Sequence, residues 1–366
     1  MLLLIAMAYA GVHAGIAFGF RHTGGSTTDT VSRFLTVLLL DNRAFAMFAI
    51  LYGYGMGWMV GRQLAAGASE RMARRTLLRR SAFLVLLGAV HALVVFPGEI
   101  LASYGVAGLA VGWLLFRSER TLTRTIAVLI PVYCVTVTAA MIATSTGTEA
   151  ERRGAWAQPG YLEVEDWLVR LGLLPVNPLY IAIVFPLLLL VTTGMWASRH
   201  RLLDEPDRNR VLLRRIAIGG TAISVAGAVP AALMTVGIIR AGPIHEGLIL
   251  ALQTLTGVLG GAGYLALFAL LGARLQERRN PLIRAVAATG RRSLTCYLFN
   301  SVLVTIILHP DLLGVGAHVS SFGAISVAFA AWLTGTCVAG WMEHTGRTGP
   351  AELLLRRLVH RRTTAD

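Results

Sequence analysis

Residues 71–96 read RMARRTLLRRSAFLVLLGAVHALVVF. Five arginines crowd the first ten positions, and the next sixteen hold no side chain charged at neutral pH apart from a titratable His91. A basic cluster abutting such an apolar run is how a membrane helix meets the cytoplasm. The same pattern repeats in both directions along the chain. Apolar runs near the length of a membrane helix fall at about Leu2–Phe20, Ala44–Val60, Ser81–Phe96, Ile100–Phe116 and Ile126–Ala143. They continue at Leu179–Ala197, Ile216–Ile239, Gly247–Leu271, Ser293–Leu308 and Val319–Trp341. The expected fold is therefore an all-α integral membrane protein of about ten transmembrane helices, a single polytopic domain over residues 1–366. Val31–Leu40 is too short to span and reads as an interfacial or re-entrant helix.

Composition agrees. Of 366 residues, 55% are hydrophobic and 14% charged, against roughly 25% charged in soluble domains. That rules out an ordinary cytosolic enzyme and a disordered chain. There is no lysine, so all 33 basic residues are arginine. Schiff-base chemistry and a Walker-type phosphate loop both need lysine and are excluded. The net charge of +14 does not imply nucleic acid as a partner, because the arginines sit in short clusters between apolar runs. The loops 61–80, 117–124, 199–215 and 274–292 and the tail 343–366 hold 26 of them, and the intervening loops hold seven. The positive-inside rule places the 26 in the cytoplasm, and both termini with them. The first span, from Met1, lacks a charged flank and a small-x-small cleavage site and is expected to be retained. Cys134, Cys296 and Cys337 have no metal-ligand spacing, and no metal is expected.

Gly53, Gly57 and Gly61 share a helix face and suit close helix packing, and Pro131, Pro186 and Pro230 are candidate kinks. The outer loop 144–178 mixes Glu149, Glu151, Glu163, Glu165 and Asp166 with Trp156, Tyr161 and Trp167. It reads either as a lid over an outer pocket or as a solvated loop anchored by interfacial aromatics.

Ionisable groups inside hydrocarbon are costly and so draw attention. Of nine histidines, His13, His22, His91, His245, His309 and His318 fall on the outer side. His91 lies within a span, six residues before Pro97-Gly98, and Tyr104 lies six residues after that turn. At 1.5 Å per residue both sit roughly 9 Å below it, able to face each other with Glu99 at the mouth. An imidazole near a carboxylate and a phenol is a candidate general base. The plainer reading is a buried histidine bonded to a neighbouring helix. His13, four residues after Tyr9 on one helix face, is a second such group, and Asn300 is polar at mid-span. Arg79-Arg80 and Arg291-Arg292 stand where cytoplasmic loops meet helices. They suit phosphates or simple positive-inside anchoring.

Several stretches together resemble the bacterial YeiB-like family, a domain of unknown function. They are Asp41-Asn-Arg43 leading to Leu51-Tyr-Gly-Tyr-Gly-Met56, His91-Ala-Leu to Pro97-Gly-Glu-Ile-Leu-Ala-Ser-Tyr104, and Gly194-Met-Trp-Ala197 through Leu203-Asp-Glu-Pro206. Gly290-Arg-Arg-Ser-Leu-Thr-Cys-Tyr297 and Gly349-Pro-Ala-Glu352 with Arg356-Arg357 complete the set. The family usually has Asp in place of Glu99 and opens with an Arg, Leu-Asp and Arg-Gly stretch that is absent here. It is grouped with transmembrane acyltransferases. The resemblance implies a multi-pass protein of the bacterial inner membrane, in contact with the lipid bilayer. It also implies transfer of an acyl group, acetyl foremost, from cytoplasmic acyl-CoA to a hydroxyl or amine of a small-molecule or glycan acceptor. In that reading His91 is the base or acyl carrier, Glu99 orients it, Tyr104 and His13 assist, and Arg79, Arg80, Arg291 and Arg292 hold the donor's phosphates. The acceptor and the oligomeric state stay open. The competing expectation is a small-molecule transporter or exporter in which a His/Glu pair relays protons.

Overall fold

Serine starts many of the helices. Ser26, Ser69, Ser118 and Ser320 each accept a backbone N–H from the first turn that follows, satisfying donors that a helix start leaves bare. At Ser26 the box is reciprocal, because Asp29 accepts from the Ser26 backbone. Asp29 also accepts from Phe322 N, tying two helix starts together. The computed structural model describes residues 1–14, 26–148, 158–275 and 280–359. His22, Glu149, Glu151, Trp156 and the last residues of the tail lie outside them.

The described residues are helical, with no strand among them. In chain order the helices are α1 (Leu2–His13), α2 (Thr27–Leu39), α3 (Arg43–Ala65), α4 (Glu70–Val94) and α5 (Leu101–Val111), which tightens into a 3₁₀ turn (Gly112–Phe116). Next come α6 (Glu119–Thr146), α7 (Val164–Val184), α8 (Leu187–Arg199), α9 (Arg210–Thr235) and α10 (Pro243–Leu275). The chain closes with α11 (Pro281–Arg291), α12 (Ser293–Leu308), α13 (Ser321–His344) and α14 (Pro350–Val359). Seven helical segments are long and apolar enough to cross a membrane, and Leu2–His13, Leu101–Phe116 and Ser293–Leu308 are shorter apolar helices. Outward-facing leucines, valines and isoleucines cover them, as a lipid-facing surface requires. The protein is a multi-pass helical membrane protein.

One element extends the reading of the sequence and a second differs from it. The stretch Val31–Leu40 belongs to α2, which shares one 39-residue apolar segment with α3. Thirty-nine residues of straight helix would run about 58 Å, far beyond a bilayer core. The chain breaks at Leu40–Asn42, where Asn42 has φ 63°. Carbonyls freed there find side chains. Arg43, fully buried, donates to Val37 O (3.2 Å), Asp41 O (2.8 Å) and Ser224 O (2.8 Å). Gln253 donates to Val37 O and Tyr264 to Leu39 O. Second, Leu179–Ala197 is not one span. Pro186 has no N–H to donate and forces Phe185 extended (ψ 151°), so α7 ends and α8 begins there. Much of the expected outer loop is the first half of α7. Pro131 and Pro230 stay inside α6 and α9.

The core forms where α3, α4, α5, α8 and α10 converge. Glycines set the closest approaches. A Cβ at Gly53 would stand 2.0 Å from Val191 O, and one at Gly194 would stand 2.0 Å from Ile50 O. Helices α3 and α8 therefore meet backbone to backbone. A Cβ at Gly61 meets nothing within 4 Å, so the third glycine of that face does not pack.

Candidate functional site

The hairpin of α4 and α5 carries the site, and glycines fix its register. A Cβ at Gly88 would strike Ala102 N, and one at Gly105 would strike Ser81 O and Val85 N. Residue 88 thus pairs with 102, and 85 with 105. Tyr104 lies opposite Leu86, about five residues or roughly 7.5 Å deeper than His91. The equal depth expected from counting outward from Pro97-Gly98 is not found. The reason is an asymmetric turn: α4 runs to Val94, whereas α5 starts only at Leu101.

Glu99 explains that late start. Its carboxylate is buried (1% exposed) and accepts from Leu101 N (2.5 Å) and Ala102 N (2.9 Å). It caps α5, where a negative charge is favoured. No hydrogen bond links it to His91. His91 is 4% exposed, and neither ring nitrogen has a hydrogen-bond partner. Tyr297 of α12 is its ring neighbour, at 5.8 Å between centroids. Tyr104, also buried, has an unpartnered hydroxyl and stacks on Tyr52 at 5.2 Å. Tyr9, Tyr297, Tyr52 and Glu99 lie within its electrostatic range. His13 bonds Thr305 Oγ1 through Nδ1 (3.1 Å) and lies on Phe96, centroids 4.1 Å apart.

A cleft between α1, α12 and the turn is lined by Tyr9, His13, Phe96, Gly98, Tyr297 and Asn300. Its free space is about 40 Å³, enough for a few waters or a group the size of an acetyl. His91 does not line it but stands behind Tyr297. Asn300 presents a buried Oδ1 without a partner.

The four arginines separate. Arg80 turns inward, with Nη1 on Met59 Sδ (3.4 Å), a buried Nε, and Tyr52 within electrostatic range. Arg79 is half-buried beside it. Arg291 pairs with Glu343 (2.8 Å) from an exposed position. Arg292 is 7% exposed and committed: it donates to Glu343 Oε2 (2.7 Å) and twice to Arg347 O. Next to it Glu352 accepts from Leu294 N, Thr295 N and Thr295 Oγ1, while Thr295 Oγ1 accepts from Ala351 N. The two C-terminal motifs are thus bound to each other. Glu352→Ala should lower stability by about 2 kcal/mol, seen as an earlier thermal midpoint in detergent.

Sequence reasoning missed the cap over the α4–α5 turn. Arg170, 1% exposed, donates to Gly160 O, Leu93 O and Pro159 O and lies 4.0 Å over the Tyr161 ring. Tyr161 donates its hydroxyl to Val95 O and its N–H to Asp311. Asn177 donates to Pro97 O. The last carbonyls of α4 and its turn are held by this strap. The available signal was an arginine amid Tyr161, Trp167 and apolar residues. His309 packs on Tyr161 at 4.7 Å, and burial holds its pKa below the ordinary imidazole value. An undone cap takes up a proton below about pH 6.5, whereas the packed one resists it. The stabilising effect is therefore full above that pH and shrinks as pH falls through it. Hydrogen exchange at Tyr161 N, corrected for its intrinsic rate, should show more opening at pH 5 than at pH 7.5.

These features define a polytopic helical membrane protein with a file of buried hydroxyl, imidazole and carboxyl groups through its core. Residues 197–362 match the family model described as a protein of unknown function, DUF418. Over that segment the chain is similar to the family, and over most of its length it is a distant homologue of two uncharacterized bacterial proteins, YxaH and YeiB. It is 23% identical over 369 residues to the uncharacterized protein YxaH of Bacillus subtilis, covering 92% of this chain and 83% of that one. It is 24% identical over 328 residues to the uncharacterized protein YeiB of Escherichia coli, covering 86% and 81%. No solved structure matches.

Proposed function

We propose that the protein crosses the bacterial inner membrane ten times, with both termini in the cytoplasm, and acts as an acyltransferase. Its donor is acyl-CoA, acetyl-CoA foremost, from the cytoplasm. Its acceptor is a hydroxyl or amine of a small molecule or glycan reached from the other face. The observation that carries this reading is His91: a buried imidazole with two unpartnered nitrogens beside a cleft of acetyl size. A general base needs an open nitrogen.

In this reading His91 removes the acceptor proton as the acceptor attacks the thioester carbonyl. The C–S bond breaks, and the thiolate leaves and takes up a proton. Glu99 fixes the turn that presents His91, while Tyr104 and His13 line the approach. Arg79, Arg80 and Arg291 take the donor's phosphates and Arg292 holds the tail. The file Arg80, Tyr52, Tyr104, Tyr297 supports a route from the inner face towards His91. Tyr297 must swing aside for His91 to meet a substrate in the cleft.

A transporter is the second reading, favoured by one observation. The breaks at Leu40–Asn42 and Phe185–Pro186 adjoin each other, with the Phe45 and Phe185 rings 6.1 Å apart, and paired discontinuous helices mark many transporter sites. Vesicles holding labelled acetyl-CoA, with candidate acceptors outside, separate the two. Covalent label on an acceptor supports transfer; acceptor flux without label supports transport and removes the enzyme.

A further inference from the structure

Asp41 sits where α2 breaks from α3, inside an apolar 39-residue segment. The residue is half-buried, yet its Oδ1 is buried and has no hydrogen-bond partner. The cation beside it is occupied elsewhere: Arg43 spends its terminal nitrogens on the Val37, Asp41 and Ser224 carbonyls, not on the carboxylate. Two further titratable groups face this junction. Tyr9 of α1 lies within electrostatic range of Asp41, and Tyr264 of α10 within range of Arg43. Tyr9 also lines the cleft below His13. An anionic oxygen without a partner is expensive in such surroundings, and a proton on it removes the charge. Arg43 holds the backbone of the break whether or not Asp41 is charged, so the fold tolerates both states of the carboxyl.

We propose that Asp41 is a proton-binding site, taking up and releasing one proton at its carboxyl. The carboxyl O–H forms as the bond from that proton to its donor, a water-borne acid reaching the half-buried residue, breaks, and the reverse step returns the proton to water. The site stands on its own observations. Should acyl transfer hold as well, it answers a chemical need of that reaction, which takes a proton from an acceptor on one side and delivers one to a thiolate on the other.

The test uses the whole protein in liposomes of neutral lipid and dicyclohexylcarbodiimide, a hydrophobic reagent that adds to protonated carboxyls. Label is located by peptide mass spectrometry. The expected result is label on Asp41 that falls about tenfold or more between pH 6 and pH 9, with Glu99 labelled less because backbone N–H groups hold both its oxygens. Label that is absent at every pH, or equal at every pH, overturns the assignment. Label suppressed by sodium at constant pH also overturns it, in favour of a cation site. Infrared spectra give a second readout: a protonated-carboxyl band present in the wild type and lost in Asp41→Asn supports the site, and an unchanged band overturns it. Neither readout depends on acyl transfer, so the two proposals can fail separately.

Discussion

His91→Ala is expected to abolish measurable acyl transfer while the protein still elutes as a folded species in detergent. A general base contributes about 10²–10⁴-fold in rate, and the described imidazoles nearest to this one are engaged by their own neighbours. His13 is bonded to Thr305 and covered by Phe96, and His309 packs on Tyr161 under the cap. Loss of fold is not expected, because neither ring nitrogen of His91 holds anything together. Removing a side chain that makes no hydrogen bonds leaves no partner stranded. Glu99→Ala should behave differently. It strips the cap from α5, leaves the Leu101 and Ala102 N–H groups bare in the core, and should lower stability by about 2 kcal/mol as well as activity. The pair is read with the vesicle assay beside a thermal melt. Turnover near wild type in His91→Ala removes the imidazole from the chemistry.

The multi-pass helical class was legible because long apolar runs with few charges can only be satisfied in lipid as helices, a constraint that acts on composition and needs no knowledge of contacts. The hairpin was legible too, since Pro97-Gly98 can only be a turn. Its register was not. Depth on either side depends on where each helix ends, and Glu99 decides that by capping α5 from within the turn. Gly88, Gly105 and Gly108 hold the register in plain view, yet a glycine marks a close approach without naming its partner. Arg43 and Arg170 were counted for topology as outer-side charges, but each is buried and satisfies carbonyls that an irregular backbone leaves bare. Such a role shows only once the break and the turn are seen. Arg292 and Glu343 lie 51 positions apart, so their pairing carries no local signal, whereas the motifs around Gly290 and Gly349 did stand out as stretches.

Gly53→Val is expected to unmake the protein, and Gly61→Val to be tolerated. Both glycines lie on one face of α3, and by sequence they are interchangeable. The structure separates them. At Gly53 a Cβ would lie 2.0 Å from Val191 O and 2.9 Å from Val191 Cα. These atoms are backbone and cannot rotate away. Helix α8 would have to move off α3, and Gly194, whose own Cβ would meet Ile50 O, closes the same crossing from the other side. Core residues on both sides, Ile50 and Leu190 among them, would part. Overpacking commonly costs about 1–3 kcal/mol, and a clash with backbone belongs at or above the top of that range. At Gly61 nothing stands within 4 Å, so the change there should stay within about 0.5 kcal/mol. Monodispersity after detergent extraction, followed by a thermal melt, distinguishes them. Equal behaviour of the two variants would mean that α3 and α8 do not cross at backbone contact, and the core that seats Tyr52 and Tyr104 would need a different arrangement.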